Sequence, residues 1–277
     1  MDKLDRLGWT AGLSFVSHGS RVGIRTNEAS LLDRLSRVLP PGSVASSSPV
    51  VHDLYSFIAG SNSPQSRVRR YNVLYAGAAQ AARTMDLDET FRALQQHLHL
   101  AVAIQSPRRL FVRASVVGWG QRAVVLTGEE PDRIASLVGL LGSGRATYYS
   151  SMFAVFDRRG RVHAYPTPLG HGAPGGNVHD TAHRRRHGPR RDRPRRKPLP
   201  VGLIAVVRHT DEPAASVHEL SPAQAVLALL SSTVVSRLRP QFALETLRRT
   251  VAGAGALDIR DRHSKDIVAR LIDQLSR

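Results

Sequence analysis

Several groups of residues have the types and spacing that could do chemistry. Gly139-Leu140-Leu141-Gly142-Ser143-Gly144-Arg145-Ala146-Thr147 imitates the phosphate-binding pattern Gly-x4-Gly-Lys-Ser/Thr, with arginine for lysine. Backbone N–H groups around Gly142-Ser143-Gly144 could cradle an anion. The pattern follows an apolar helical stripe, however, whereas a phosphate loop precedes its helix, so a glycine-rich helix stop is the competing reading. Ser17-His18-Gly19-Ser20 sets a hydroxyl beside an imidazole, but adjacency in sequence is not triad geometry. Asp157 opens the turn Asp157-Arg158-Arg159-Gly160, where aspartate commonly serves the turn itself. His171, His179, His183 and His187 invite a metal reading, and the last three are spaced by four, as on one helix face. Gly188, Pro189 and the neighbouring arginines oppose both the helix and a bound cation, so no metal ligand is assigned.

Basic residues dominate the charge. The chain has 277 residues, with 39 Lys and Arg against 22 Asp and Glu, a formal +17, and no cysteine. Zero cysteine excludes a disulfide scaffold, a thiolate zinc site and a cysteine nucleophile. The segment His179–Pro198 carries Arg184, Arg185, Arg186, Arg190, Arg191, Arg193, Arg195, Arg196 and Lys197 against Asp180 and Asp192, a net +7. These are the candidate partner-binding residues, suited to an acidic peptide or protein. A solvated loop in an arginine-biased chain explains the same run. Nucleic acid is disfavoured, because no aromatic residue is interleaved for base stacking. No apolar run approaches the roughly 18–20 residues of a membrane span, and the charged start MDKLDRLGWTAG differs from a signal peptide. The expectation is a cytoplasmic protein that does not enter a membrane.

The elements that must position these residues follow from periodicity. Leu13–Ser17 and Arg21–Thr26 predict a hairpin, Asn27–Val38 a helix, and Leu54–Ala59 and Arg69–Ala76 two strands. Asp88–Ile104 predicts a helix with Phe91, Leu94, Leu98 and Val102 in one stripe. Leu110–Val117 and Ala123–Leu126 predict strands, and Ile134, Leu137, Val138 and Leu141 mark a helix starting near Pro131. Met152–Phe156 and Arg161–Tyr165 predict a hairpin; Trp119, between two glycines, is expected at an exposed turn. Val201–Val207 predicts a fully apolar strand, and Val217–Leu220 precedes the next helix. Ser221, Pro222 and Gln224 form a capping box for the next helix, and Pro240–Val251 and Ser264–Leu275 predict two more. Strands alternating with helices predict an α/β core over 106–277, preceded by an α+β region over 1–105. Thr167–Leu199 is expected to be a long basic insertion.

Over Leu110–Pro166, "RRLFVRASVVGWGQRAVVLTG" and "ATYYSSMFAVFDRRGRVHAYPTPL" resemble the HPr kinase/phosphorylase-related serine kinases. The likeness is closest to small HPr-kinase-like proteins of bacterial biosynthetic clusters. "LSFVSHGSRVGIRTN" with "LPPGS" before this region, and "PVGLIAVVRHT", "LSPAQAVLALL" and "RPQFALETLRRTVAG" after it, extend the resemblance over most of the chain except the basic insertion. It implies a phosphate-loop-kinase-like (HPr kinase/PEP carboxykinase-like) core. It also implies ATP and magnesium as ligands, a protein or peptide substrate, and a homo-oligomer.

The same resemblance places the family's site on unsuitable residues. Its first loop glycine falls on Gly128, the second on Arg133, the phosphate lysine on Ile134, the magnesium hydroxyl on Ala135 and the following threonine on Ser136. Glu129, Glu130 and Asp132 would repel a polyphosphate, and Pro131 removes an N–H donor. Those acids suit a helix N-terminus instead. The family's acidic pair falls on Ser151 and Met152, its histidine on Arg113 and its following glycine on Ser115. Phosphoryl transfer depends on charge placement, so the resemblance implies a degenerate nucleotide site and a pseudokinase that binds a partner. The alternatives are an ATP-dependent serine kinase using Arg113, Arg133 or Arg145, and an arginine-loop binder of nucleic acid or acidic protein.

Overall fold

The first two strands form a hairpin with complete antiparallel register: β1 (Ala11–Ser17) runs from Ala11 opposite Thr26 to Ser17 opposite Ser20 on β2 (Ser20–Thr26). The computed structural model describes residues 2–60, 71–168, 196–210, 216–261 and 264–276. The fold is mixed α/β, and the chain divides into units 1–108 and 109–277.

In the first unit a short turn of helix, α1 (Asp2–Asp5), precedes the hairpin. The helix expected over Asn27–Val38 is shorter than its apolar pattern. A 3-10 turn at Ala29–Leu31, started by the Glu28 carboxylate accepting from the Ser30 N–H, leads into α2 (Leu32–Arg37). There follow β3 (Val44–Ala45), β4 (Asp53–Ile58), β5 (Asn72–Ala76), β6 (Ala79–Thr84) and α3 (Leu87–Gln105). The sheet order is β3-β1-β2-β4-β5-β6, with β2 and β4 parallel. Strand β6 was not anticipated, since Ala-Gln-Ala-Ala-Arg-Thr lacks an apolar alternation; as an edge strand it does not need one. Asp86 caps α3 by accepting from the Asp88 N–H, and Phe91, Leu94, Leu98 and Val102 are buried as the stripe predicts. Phe91 meets Phe57 with ring centroids 4.8 Å apart.

The second unit contains β7 (Leu110–Arg113), β8 (Ser115–Trp119), β9 (Arg122–Gly128), α4 (Glu130–Gly142), β10 (Ala146–Ser150), β11 (Phe153–Phe156) and β12 (Val162–His163). It continues with β13 (Val201–His209), β14 (Ser216–Glu219), α5 (Pro222–Ser231), α6 (Pro240–Val251), β15 (Gly255–Asp261) and α7 (Ser264–Ser276). A six-stranded sheet runs β10-β8-β9-β13-β15-β14, and a three-stranded sheet runs β12-β11-β7. At its centre β9, β13 and β15 are parallel. Leu126, Leu203, Val207 and Ile259 of this sheet form one buried cluster with Leu137 of α4 and Ile267 and Leu271 of α7.

The structure corrects several expectations. The apolar run Leu110–Val117 is not one strand. It splits at Ala114 into β7 and β8 of different sheets, because the Arg113 N–H is drawn to the Ser232 carbonyl and the Ala114 N–H to the Met152 carbonyl. Trp119 is not an exposed turn residue; it ends β8 opposite Arg122 and packs half-buried on the core, leaving the turn to Gly120 at φ +57°. The ends of the expected insertion belong to the folded unit. Thr167 is buried, and Leu199 forms a bridge with Val162. Strand β15 was not anticipated at all.

Candidate functional site

The parallel strands β9, β13 and β15 end at Gly128, His209 and Asp261. Open α/β sheets take ligands at this carboxyl edge. Gly128 has φ +124°, and a Cβ there would lie 2.0 Å from the Val207 carbonyl oxygen of β13. The residue is therefore glycine because strand pairing leaves no room for a side chain. Helix α4 begins at Glu130, with only Glu129 between strand and helix. Positions 130–136, which would have to supply the wrapped backbone of a phosphate loop, its lysine and its hydroxyls, are already helix. Arg133 is buried, Ile134 packs half-buried against the core, Ala135 is half-buried, and Ser136 is fully buried in the second turn. Glu129 occupies the N-cap without a side-chain capping bond, so at this residue the expected carboxylate cap is not formed.

The competing glycine motif is a helix stop. The Ser143 and Gly144 N–H groups return to the Leu140 and Leu141 carbonyls, and Gly144 takes φ +73°. Gly139 answers to packing, since a Cβ there would meet the Val268 methyl at 2.5 Å. Arg145 follows the stop and is exposed.

Ser151 and Met152 lie in the bend between β10 and β11. The Tyr148 hydroxyl donates to the Thr167 carbonyl and lies 3.1 Å from Ser151 Oγ, which is itself 2.9 Å from Thr167 Oγ1. Ser115 Oγ donates to the Ser151 carbonyl at 3.0 Å. Burial pushes the Tyr148 phenol up, against the pull of these bonds. The two family-site positions Ser115 and Ser151 are thus tied into a buried hydroxyl network. Arg113, on the exposed side of β7, stands apart from it.

No protein-family model matches this chain. No curated protein and no solved structure matches it either.

Sequence reasoning missed the charged cluster at the strand ends. Asp258 on β15 is buried between two half-exposed arginines. Arg260 Nη2 lies 3.2 Å from Oδ2, and Arg208 Nε of β13 lies 3.4 Å from Oδ1, outside hydrogen-bonding geometry. Arg208 is 54% and Arg260 47% exposed, so the pairing adds little stability, and among the described side chains two guanidinium groups share this one carboxylate. The signal was the Asp258-Ile259-Arg260 alternation, whose partner Arg208 lies far away in sequence. Thr127 and Ser232 hydroxyls meet at 3.3 Å, joining the end of β9 to the end of α5.

A second cluster sits on the β11–β12 hairpin. Asp157 accepts from the Arg159 and Arg161 N–H groups, as a turn aspartate should. It also lies 2.9 Å from His163 Nε2 and 3.7 Å from Arg109. Burial alone would raise the Asp157 carboxyl, but the His163 bond and the two backbone N–H groups outweigh it and hold it below the ordinary value. Burial lowers the His163 imidazole, aided by the Arg109 charge and opposed by Asp157. Neutral His163 donates to ionised Asp157. Ser17, by contrast, donates its hydroxyl from the end of β1 to the Pro41 carbonyl, between α2 and β3.

Of the basic run, Arg184, Arg185, Arg186, Arg190, Arg191, Arg193 and Arg195 lie outside the described residues, as do His171, His179, His183 and His187. Arg196 lies over the Tyr149 ring at 5.6 Å, and the Lys197 carbonyl accepts from the Tyr149 hydroxyl. Among the described residues no cluster of three or more His, Asp or Glu could hold a metal ion, and no helix is long and apolar enough to cross a membrane.

Proposed function

We propose that this chain is a catalytically silent binding or assembly module, a pseudokinase of HPr-kinase-like ancestry that docks an acidic peptide or protein segment. One observation carries the reading. The residues between β9 and the middle of α4 are taken up by strand pairing and helix, with Gly128 pressed against the Val207 carbonyl and Ser136 buried. A phosphate cradle requires several backbone N–H groups turned toward one anion ahead of the helix. Here a single residue separates strand from helix. The acidic partner is supported by the half-exposed guanidinium groups of Arg208 and Arg260 at the carboxyl edge and by the net +7 of His179–Pro198.

Calorimetric titration of the folded chain with ATP, with and without magnesium, to millimolar nucleotide tests the catalytic half. The expected result is no saturable heat. Saturable, magnesium-dependent binding overturns the reading and returns attention to Arg113, Arg133 and Arg145. A glutamate-rich peptide tests the binding half. It is expected to bind with salt-dependent affinity that falls when Arg208 and Arg260 are both replaced by serine. Affinity unchanged by that double substitution removes the carboxyl edge from the docking surface.

A further inference from the structure

The first unit holds a cavity of about 200 Å³ that none of the preceding sites uses. Its walls follow from two periodicities. Asp53 and Tyr55 are two residues apart on β4 and share one sheet face. That face looks toward α3, because Phe57, the next residue on it, meets Phe91. On α3, His97, Leu100, Ala101, Ile104 and Gln105 follow the i, i+3, i+4, i+7, i+8 spacing of a single stripe. Strand face and helix stripe line a half-open cleft whose apolar floor has a phenol, an imidazole, an amide and one carboxylate around it.

The carboxylate is the unmatched group. Asp53 Oδ2 is buried with no hydrogen-bond donor, and among the described residues no lysine or arginine pairs with it, in a chain of net charge +17. Asp53 is half-buried, and the Oδ2 face turned away from solvent is an acceptor position left without a donor. The neighbouring Tyr55 hydroxyl does not relieve it, because it donates to the His97 carbonyl at 3.2 Å. Burial and the Asp53 charge push that phenol up to about 12, so it remains a neutral aromatic wall. The Tyr55 and His97 rings stand 6.1 Å apart and tilted, offering ring surface beside the carboxylate. An ammonium group supplies what is missing: a positive charge, N–H donors for the carboxylate and an attraction to the tyrosine face. The volume lies below the roughly 300–1,000 Å³ of pockets for drug-sized ligands, which limits the guest to a fragment with a short apolar body for Leu100 and Ile104.

We infer that the cavity between β4 and α3 is a binding site for a small primary amine, with Asp53 as the ammonium acceptor and the α3 stripe as the apolar wall. The site is independent of the carboxyl-edge docking reading.

The test is an NMR titration of the full ¹⁵N-labelled chain with benzylamine, benzyl alcohol and benzoate in parallel. Benzylamine is expected to give saturable shifts on the amides of β4 and of residues 97–105. Benzyl alcohol should bind about tenfold more weakly or worse, as loss of a charge-assisted hydrogen bond implies, and benzoate should not bind. Asp53→Asn should reduce benzylamine to the level of the alcohol. Equal binding of amine and alcohol, shifts that map elsewhere, or no benzylamine binding at millimolar concentration each overturn the inference. The ligand comparison uses the unaltered protein, so the outcome stands even where Asp53→Asn does not fold.

Discussion

Replacing Gly128 by alanine probes the closed strand-to-helix junction directly. Two costs combine. A non-glycine residue at positive φ costs about 1–2 kcal/mol even in the best left-handed region, and φ +124° lies beyond that region. The new Cβ would also sit 2.0 Å from the Val207 oxygen, so β9 and β13 must part at their carboxyl ends. Each ladder hydrogen bond lost there is worth about 1 kcal/mol. The expected destabilisation of Gly128→Ala is therefore about 3–5 kcal/mol, a large share of the ~5–15 kcal/mol that holds an ordinary domain. Gly120→Ala is the matched control, since Gly120 has φ +57° but nothing within 4 Å of its Cβ position; about 1 kcal/mol is expected there. Urea unfolding followed by tryptophan fluorescence reads both variants. In a Trp9→Phe background the signal comes from Trp119, which packs on the core of the second unit. A Gly128→Ala cost no larger than that of Gly120→Ala would refute the closed junction, because a glycine in an open loop would meet only the backbone penalty.

Ser221→Ala should remove the capping box of α5, in which the Ser221 hydroxyl accepts from the Gln224 N–H and the Gln224 amide oxygen accepts from the Ser221 N–H. The expected loss is about 1 kcal/mol by urea midpoint, and no shift in midpoint would show the cap to be redundant. His163 makes stability fall with acid in a defined window. Its folded value lies below the ordinary 6.5, so the unfolded chain takes up the proton first and stability declines as pH drops through 6.5 toward the lower folded value. The depressed Asp157 contributes a separate loss below its ordinary 3.8, as pH falls through its folded value. Urea midpoints from pH 8 to 5 should therefore slope less in His163→Gln than in the parent; identical slopes would remove His163 from the acid response.

Legibility in the sequence divides between local and long-range causes. The Ser221–Gln224 cap and the Phe91–Val102 stripe were readable because both are decided within a few turns of one helix. Gly139 was misleading for the opposite reason. Read locally it belongs to a phosphate motif, but its lack of a side chain answers to Val268 on α7. Strand β15 went unread because Asp258 and Arg260 look like loop residues. The two pair with each other along the strand, and the parallel partner that makes the segment a strand, β13, lies far away in sequence. The break at Ala114 depends on carbonyls of Ser232 and Met152 that no window around residue 114 contains. The resemblance located Gly128 and Ser151 as positions to inspect. It did not convey that one is held by a strand partner and the other by a hydroxyl network. The cavity beneath α3 was invisible for a similar reason, since Asp53 and His97 meet only through the packing of helix on sheet.

Two consecutive tyrosines on β10 have a consequence for how this chain can change. Tyr148 holds the carbonyl of Thr167, and Tyr149 holds the carbonyl of Lys197. Both ends of the intervening stretch are thereby moored to one strand, and Leu199 is further stitched to Val162. Closing a longer span between fixed moorings is thermodynamically mild, about 0.6 kcal/mol for each doubling of its length. The pair works as a socket. Two adjacent hydroxyls of one strand thus fix where residues 167 and 197 sit, and the register of β10 sets the spacing between them.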